Sequence, residues 1–334
     1  MADLPTLRYL ARDDVVAAMP PLEQRLRLAE TVMRGLAQGA ELPAKIGLHP
    51  RPDASFAHAM PAFMRGAADD GSADQLGMKW VLGFGGNVAL GLPAIHGLIL
   101  LDHPTTGVPL AIIDAGPVTA ERTAAVTGVA IRAFAPSVAG RPPRAAMIGG
   151  GVQGHSHLPV LGHTLPGVEL TVFDRHADRA EALAALARST DGIAKATVAP
   201  DARFAVLGAD LVVTAASFTG PEQRQVMPPD WLAPHALVVP VDYATMVSAA
   251  VAHQAALFLV DHREQFLANR EAGNFDGYPD PAMTLGEALI EGVRRPPEGR
   301  VVVTHLGVGL SDVVFGGAIL AEAERRGLGT VLPR

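Results

Sequence analysis

A chain of 334 residues is long enough for two domains with cores of their own, and with 49% hydrophobic and 18% charged residues it excludes intrinsic disorder. A net charge of −7 argues against a phosphate-backbone partner, and the absence of cysteine excludes disulfides and thiolate metal sites. The N-terminal "MADLPTLRYLARDD" has no secretory signal pattern, and no apolar run approaches the ~20 residues of a membrane span; the expectation is a soluble, cytoplasmic protein that handles small molecules, with no nucleic-acid or membrane partner.

The first periodic segment places Leu22, Leu26, Ala29, Met33 and Leu36 on one helical face, with Gly39 as a stop. From Ile46 the pattern shortens: "MKWVLGF" (78–84) reads as a strand, and 97–114 as two strands around a turn at 103–107. A long helix follows at 117–135, opened by Pro117 and Thr119. "RAAMIGGG" (144–151, a strand running into a glycine turn) and strands at 168–175, 209–217, 236–242 and 256–261 then alternate with helices, as βαβ units do. Thr284 and Glu287 form a capping box for the next helix. After the strand "RVVVTHLG", Ser311 is expected to cap a last helix closed by Arg325, Arg326 and Gly327, with no strand after it and a return to the N-terminal region. The fold class is α/β, with a doubly wound middle region between two parts of an α+β domain.

Within "AAMIGGGVQGHSH", Gly149, Gly151 and Gly154 fit G-x-G-x-x-G, with Val152 and Gln153 between the last two. In a dinucleotide fold the three glycines serve a tight turn, approach of the pyrophosphate to the backbone, and close helix packing, while the helix N-terminus offers free N–H groups. Asp174 ends the second strand about twenty residues on, where an acidic side chain meets the ribose hydroxyls and disfavours a 2′-phosphate. NAD(H) is therefore the expected cofactor, with Arg175 softening the choice. A purely structural glycine turn is the alternative.

Three polar residues interrupt apolar surroundings outside that turn. Lys79 lies in "GMKWVLGF", Arg122 near the start of a helix where a cation opposes the dipole, and Asp242 at the end of a strand of the α/β region, where open sheets bind ligands. A solvated lysine, a surface arginine and a loop-capping aspartate are the plain readings of the same residues.

"GMKWVLGFGGN", "GLPAIHGLILLDHPTTGVPLAIIDAGPVTAERTAA", "MIGGGVQG" and "HLGVGLSDVV" stand in the order and spacing of the ornithine cyclodeaminase/μ-crystallin family, and the chain resembles it from about residue 40 to 320. The resemblance implies a homodimer, with a Rossmann NAD-binding domain (121–305) inserted in a split substrate and dimerisation domain (1–120, completed by 306–334). It implies that Lys79 and Arg122 grip a substrate carboxylate, that Asp242 is the acid/base, that Lys79 counts with it as catalytic, and that Ser217 and Gly307 line the cofactor pocket. Two departures stand out. Lys45 occupies the place of an arginine that contacts the carboxylate in ornithine cyclodeaminases, and supplies charge without a bidentate fork. His58, in "FAHAMPAF", replaces a glutamate that helps hold a distal amine. As a substrate contact it would suit an acidic, neutral or apolar side chain; the alternative is a packed strand histidine. His155 and His157 face apart on a helix, and no metal site is expected.

Family chemistry moves a hydride between nicotinamide and the α-carbon of an amino acid through an α-imino acid. The sequence points first to an NAD(H)-dependent oxidoreductase acting on the α-C–N bond of a small amino or imino acid. Ornithine cyclodeaminase, a lyase, and a non-enzymatic dinucleotide-binding protein are the alternatives.

Overall fold

The computed structural model describes residues 6–51, 55–66, 71 and 73–333. The chain forms two compact units, residues 1–122 with 307–334, and residues 123–306. The helix Ala115–Phe134 begins in the first and ends in the second.

The first unit is built on a seven-stranded mixed sheet, in the order Thr330–Leu332, Leu7–Leu10, Pro109–Asp114, Ile95–Asp102, Gln75–Phe84, Ser55–Met64, Ile46–Leu48. Strict alternation makes Gln75–Phe84 half-buried: Gly77, Lys79, Val81 and Gly83 point inward, and their neighbours point outward. The closing helix Gly309–Arg326 packs on this sheet together with Leu22–Ala37, which buries Leu26, Ala29, Val32 and Met33. A Cβ at Gly77 would fall 2.4 Å from the Leu100 carbonyl oxygen and 3.3 Å from Val313, so this glycine lets strand and helix approach.

Three details of this unit differ from the sequence reading. The closing helix is followed by a strand after all, Thr330–Leu332, which pairs antiparallel with Leu7–Leu10. Three residues are too few to show a period. Ser311 does not cap that helix: Val308 holds the cap position, and the Ser311 hydroxyl is buried inside the first turn with no hydrogen-bond partner. The long helix starts at Ala115, ahead of Pro117, and the Asp114 carboxylate accepts from the Gly116 N–H at 2.9 Å. That local acceptor supplies what Thr119 was expected to provide.

The second unit carries an eight-stranded parallel sheet in the order Met283–Thr284, Leu257–Val260, Val301–Thr304, Leu237–Pro240, Leu211–Thr214, Arg144–Ile148, Val168–Phe173, Ile193–Val198. Several strands, such as Leu211–Thr214 and Val301–Thr304, are buried at every residue, the mark of a sheet covered on both faces. Chain order reverses between Arg144–Ile148 and Leu211–Thr214, and such a switch point opens a crevice beyond the carboxyl ends of the strands. The glycine turn, Ser217 and Asp242 all lie at that end. Thr284 and Glu287 form the expected reciprocal cap. Among the described residues no helix is long and apolar enough to cross a membrane.

Candidate active site

In the first unit, the inward face of Gln75–Phe84 delivers Lys79 to the closing helix. Its ammonium lies 2.6 Å from Oδ2 of Asp312, whose Oδ1 is 3.2 Å from Nε of Arg122. All three side chains are buried, Lys79 to 2% exposure and Asp312 to none. A solvated lysine and a surface arginine are thereby ruled out. Burial pushes the Lys79 ammonium down to about 7; Asp312 opposes that shift, while Arg122 and Lys45 add to it. Burial alone would raise the Asp312 carboxyl, yet Arg122 and Lys79 hold it below the usual carboxylate range. Two buried cations thus share one anion. A surplus buried charge costs several kcal/mol unless an anion joins it.

Gly307 also belongs here. Its φ is +77°, and a Cβ on it would fall 2.4 Å from Nη1 of Arg122, so the guanidinium rests on this glycine. The site expected of Gly307 was the cofactor pocket; the structure places it in the first unit, against Arg122.

Across the sheet, Met60 pairs with Lys79 and His58 with Val81, which puts His58 and Lys79 on the same face. Lys45 immediately precedes the neighbouring strand Ile46–Leu48. The His58 ring is half-buried and stacked on Phe56 at 4.6 Å between centroids. Burial, then Lys45, His49 and Lys79, push its imidazole down to about 4, so it is neutral at physiological pH. Packing and proximity to the cations coexist at this residue.

In the second unit, each glycine of the turn has a distinct environment. Gly149 sits at φ +113°, with a would-be Cβ 2.4 Å from the Ala215 carbonyl oxygen, and Gly154 packs as closely on the Gly149 carbonyl. Gly151 is different: nothing lies within 4 Å of the position its Cβ would take. The protein itself does not require a glycine there. It is the residue that caps helix Val152–Thr164, with Val152 exposed and Gln153 half-buried beside it. Open space over free helix-terminal N–H groups fits a pyrophosphate.

Asp174 is partly turned back on its own loop, with Oδ2 accepting from the Gly150 N–H at 2.7 Å and Oδ1 from the His176 N–H at 2.8 Å. Each oxygen keeps a lone pair for a ribose hydroxyl. Arg175 and Ser217 are exposed.

Asp242 lies just past Leu237–Pro240 and is 2% exposed. Its Oδ1 accepts from the Thr214 hydroxyl at 2.9 Å and its Oδ2 from the Ala216 N–H at 3.0 Å. Burial raises the carboxyl to about 7 against the lowering effect of the hydrogen bonds from Ala216, Thr214 and Met246. Tyr243, next in the chain, is held at φ 61°, a costly backbone for an aromatic residue, and its ring stacks on Phe275.

Asp312 and Thr214 are functional neighbours that sequence reasoning missed. An aspartate inside the apolar run "GVGLSDVVFGGAIL" was the available signal for the first; nothing marked Thr214. His157 is also more than an ordinary helix residue. Fully buried, it donates from Nδ1 to the Gln153 carbonyl at 2.6 Å and accepts at Nε2 from the Thr127 hydroxyl at 2.9 Å; that hydroxyl accepts from Nε2 of His305 at 2.9 Å. Among the described residues no group of three or more His, Cys, Asp or Glu is arranged to hold a metal ion.

A family model described as "Ornithine cyclodeaminase/mu-crystallin family" matches residues 12–265. The nodulation efficiency protein NfeD of Rhizobium meliloti is 34% identical over 98% of this chain and 98% of its own. The ketimine reductase mu-crystallin of Mus musculus is 27% identical over 89% of this chain and 88% of its own. Among solved structures, the Delta(1)-pyrroline-2-carboxylate reductase of Thermococcus litoralis, in complex with NADH and L-proline, superposes with a TM-score of 0.82 over 97% of this chain and 100% of that one. At 22% identity it shows the fold alone.

Proposed function

The chain belongs to the ornithine cyclodeaminase/mu-crystallin family, and on that premise we propose that it is an NAD(H)-dependent oxidoreductase acting on the α-C–N bond of a small amino or imino acid. The observation that carries the reading is the buried pair Lys79 and Arg122 with the single counter-charge Asp312. A carboxylate is the anion that every α-amino and α-imino acid brings.

NAD(H) would be held by the glycine turn, with Gly149 and Gly154 shaping it, Gly151, Val152 and Gln153 presenting N–H groups to the pyrophosphate, and Asp174 meeting the ribose; Arg175 and Ser217 complete the edge. The bound nicotinamide supplies or accepts the hydride. Lys79, Arg122 and Lys45 bind the substrate carboxylate, the arginine by its planar fork and the lysines as point charges. Asp242 moves the proton at the substrate nitrogen: a carboxyl titrating at about 7 is present in both forms at neutral pH, so it can protonate an amine as it forms or deprotonate one before oxidation.

His58 bears on the substrate side chain. A neutral imidazole among cations offers an ammonium group one acceptor nitrogen but no negative charge, so an uncharged or acidic side chain fits better than that of ornithine. The naming of one relative as a ketimine reductase supports the same direction. We place the protein in the cytoplasm, where a nicotinamide pool is available, and read it as a homodimer: the edge strand Ile46–Leu48 is exposed at every residue, as are Leu90 and Leu92, and such an apolar edge calls for a cover.

The test is a panel of cyclic ketimines with NADH and of amino acids with NAD, followed by NADH absorbance, beside ornithine with catalytic NAD. Reduction of a ketimine is the expected result. Ready formation of proline and ammonia from ornithine would replace the oxidoreductase with a lyase.

A further inference from the structure

The closing helix contributes a residue whose position is not explained by helix chemistry. An aspartate in the first turn of a helix ordinarily faces water and complements the dipole. Asp312 does occupy the first turn of Gly309–Arg326, yet it has no exposed surface, and its oxygens go to side chains of two other elements. Oδ2 takes the Lys79 ammonium at 2.6 Å, and Oδ1 takes Nε of Arg122 at 3.2 Å. One carboxylate therefore spaces two cations from different elements, the strand Gln75–Phe84 and the helix Ala115–Phe134.

We propose that Asp312 is the positioning residue of the carboxylate grip: it sets the spacing of Lys79 and Arg122 and keeps Lys79 in its charged form, so that the pair can receive a substrate carboxylate. The inference rests on the carboxylate-binding role proposed above for that pair. The titratable groups that face Lys79 are Arg122, Lys45, His58 and Asp312, and among these Asp312 alone is an anion. The ammonium titrates at about 7 even with Asp312 beside it, so loss of that anion leaves an uncharged amine at neutral pH. With Asp312 in place, the Nε edge of Arg122 is occupied, and Gly307 supports the opposite, terminal end of the guanidinium.

The probe is pyrrole-2-carboxylate, a planar carboxylate without a reducible C=N bond, titrated calorimetrically into the full-length protein saturated with NADH. No turnover is needed. In Asp312→Asn, affinity at about pH 8 is expected to fall roughly tenfold or more, since each unit of pKa lost costs a factor of ten in the charged fraction. Affinity should converge on the wild-type value as the pH is lowered and Lys79 recovers its proton, while NADH affinity stays unchanged. A loss of the same factor at every pH, or no loss, overturns the proposal, because a merely structural role would not follow the charge of Lys79.

Should Asp312→Asn fail to fold, Asp312→Glu decides. It keeps the charge but moves it by one methylene, so affinity should fall several-fold with the wild-type pH profile retained; wild-type affinity throughout overturns the positioning role. Failure of the wild-type complex to bind the probe overturns the inference and the grip together. Binding without turnover of any ketimine overturns only the catalytic reading.

Discussion

Asp242→Asn isolates the proton from the packing around it. In the wild-type protein Oδ1 accepts from the Thr214 hydroxyl at 2.9 Å and Oδ2 from the Ala216 N–H at 3.0 Å. An asparagine in the same place can keep its carbonyl oxygen on the Ala216 N–H and turn its amide toward the Thr214 oxygen, because a hydroxyl accepts as readily as it donates. The Met246 N–H, which also donates to the carboxylate, must then share the one remaining oxygen, so a stability loss of about 1 kcal/mol is expected, partly offset because removal of a buried carboxyl relieves a desolvation cost. What disappears is the proton donor. A positioned general acid contributes roughly 100- to 10,000-fold, about 3–5 kcal/mol of barrier, so kcat for imine reduction should fall by that factor while NADH binding, followed by its fluorescence, is retained. The pH profile adds a second reading. Reduction needs the protonated carboxyl, so the wild-type kcat should decline as pH rises through about 7, and that limb should vanish in the variant. A variant that turns over at the wild-type rate, or keeps the limb in kcat, would refute Asp242 as the donor.

Gly151→Ala should leave the free energy of urea unfolding within about 1 kcal/mol of wild type, since its Cβ meets no protein atom within 4 Å and the change costs only the preference for glycine over alanine at a helix cap, yet weaken NADH binding at least about tenfold; Gly149→Ala, by contrast, should destabilise the fold itself. His58→Glu should raise kcat/KM for ornithine relative to a neutral amino acid by about tenfold or more, because a carboxylate replaces an imidazole that is neutral at physiological pH; competition kinetics with the two substrates read the ratio directly. In the wild type, amino-acid oxidation should be bell-shaped around pH 7, while imine reduction declines steadily above it; initial rates in the two directions across pH check the contrast.

Wherever a local rule sufficed, the fold could be read from residues alone. The Thr284 and Glu287 cap, the hairpin read at 97–114 and the glycine turn each announce themselves within a few positions. Elements that depend on distant pairing did not. Thr330–Leu332 is a strand only because Leu7–Leu10 lies beside it, and no three-residue pattern carries that information. Ile193–Val198, at the end of the parallel sheet, alternates imperfectly and carries no strand pattern of its own for the same reason. The candidate site divides along similar lines. Lys79, Arg122 and Asp242 could be picked because polar residues in apolar surroundings are conspicuous, but whether each was buried or solvated was undecidable without the fold. Asp312 carries no local signal of its role, since its meaning comes entirely from two residues roughly 190 and 230 positions away.

Burial acts on Lys79 and Asp242 in the same physical sense and with opposite chemical results. It favours the neutral form of each, lowering a lysine and raising an aspartate until both titrate at about 7. Imine reduction needs both protons in place, one to hold the carboxylate and one to give to nitrogen. Mild acidity satisfies the two conditions together. Amino-acid oxidation needs Lys79 charged and Asp242 ionised at once, and two independent groups titrating at the same pH meet that condition in only about a quarter of molecules, at best. Asp312 shifts this balance, since a carboxylate at 2.6 Å holds the lysine proton to higher pH than burial alone would allow. The protonation states that these environments favour at and below neutral pH are therefore those of the reductive direction.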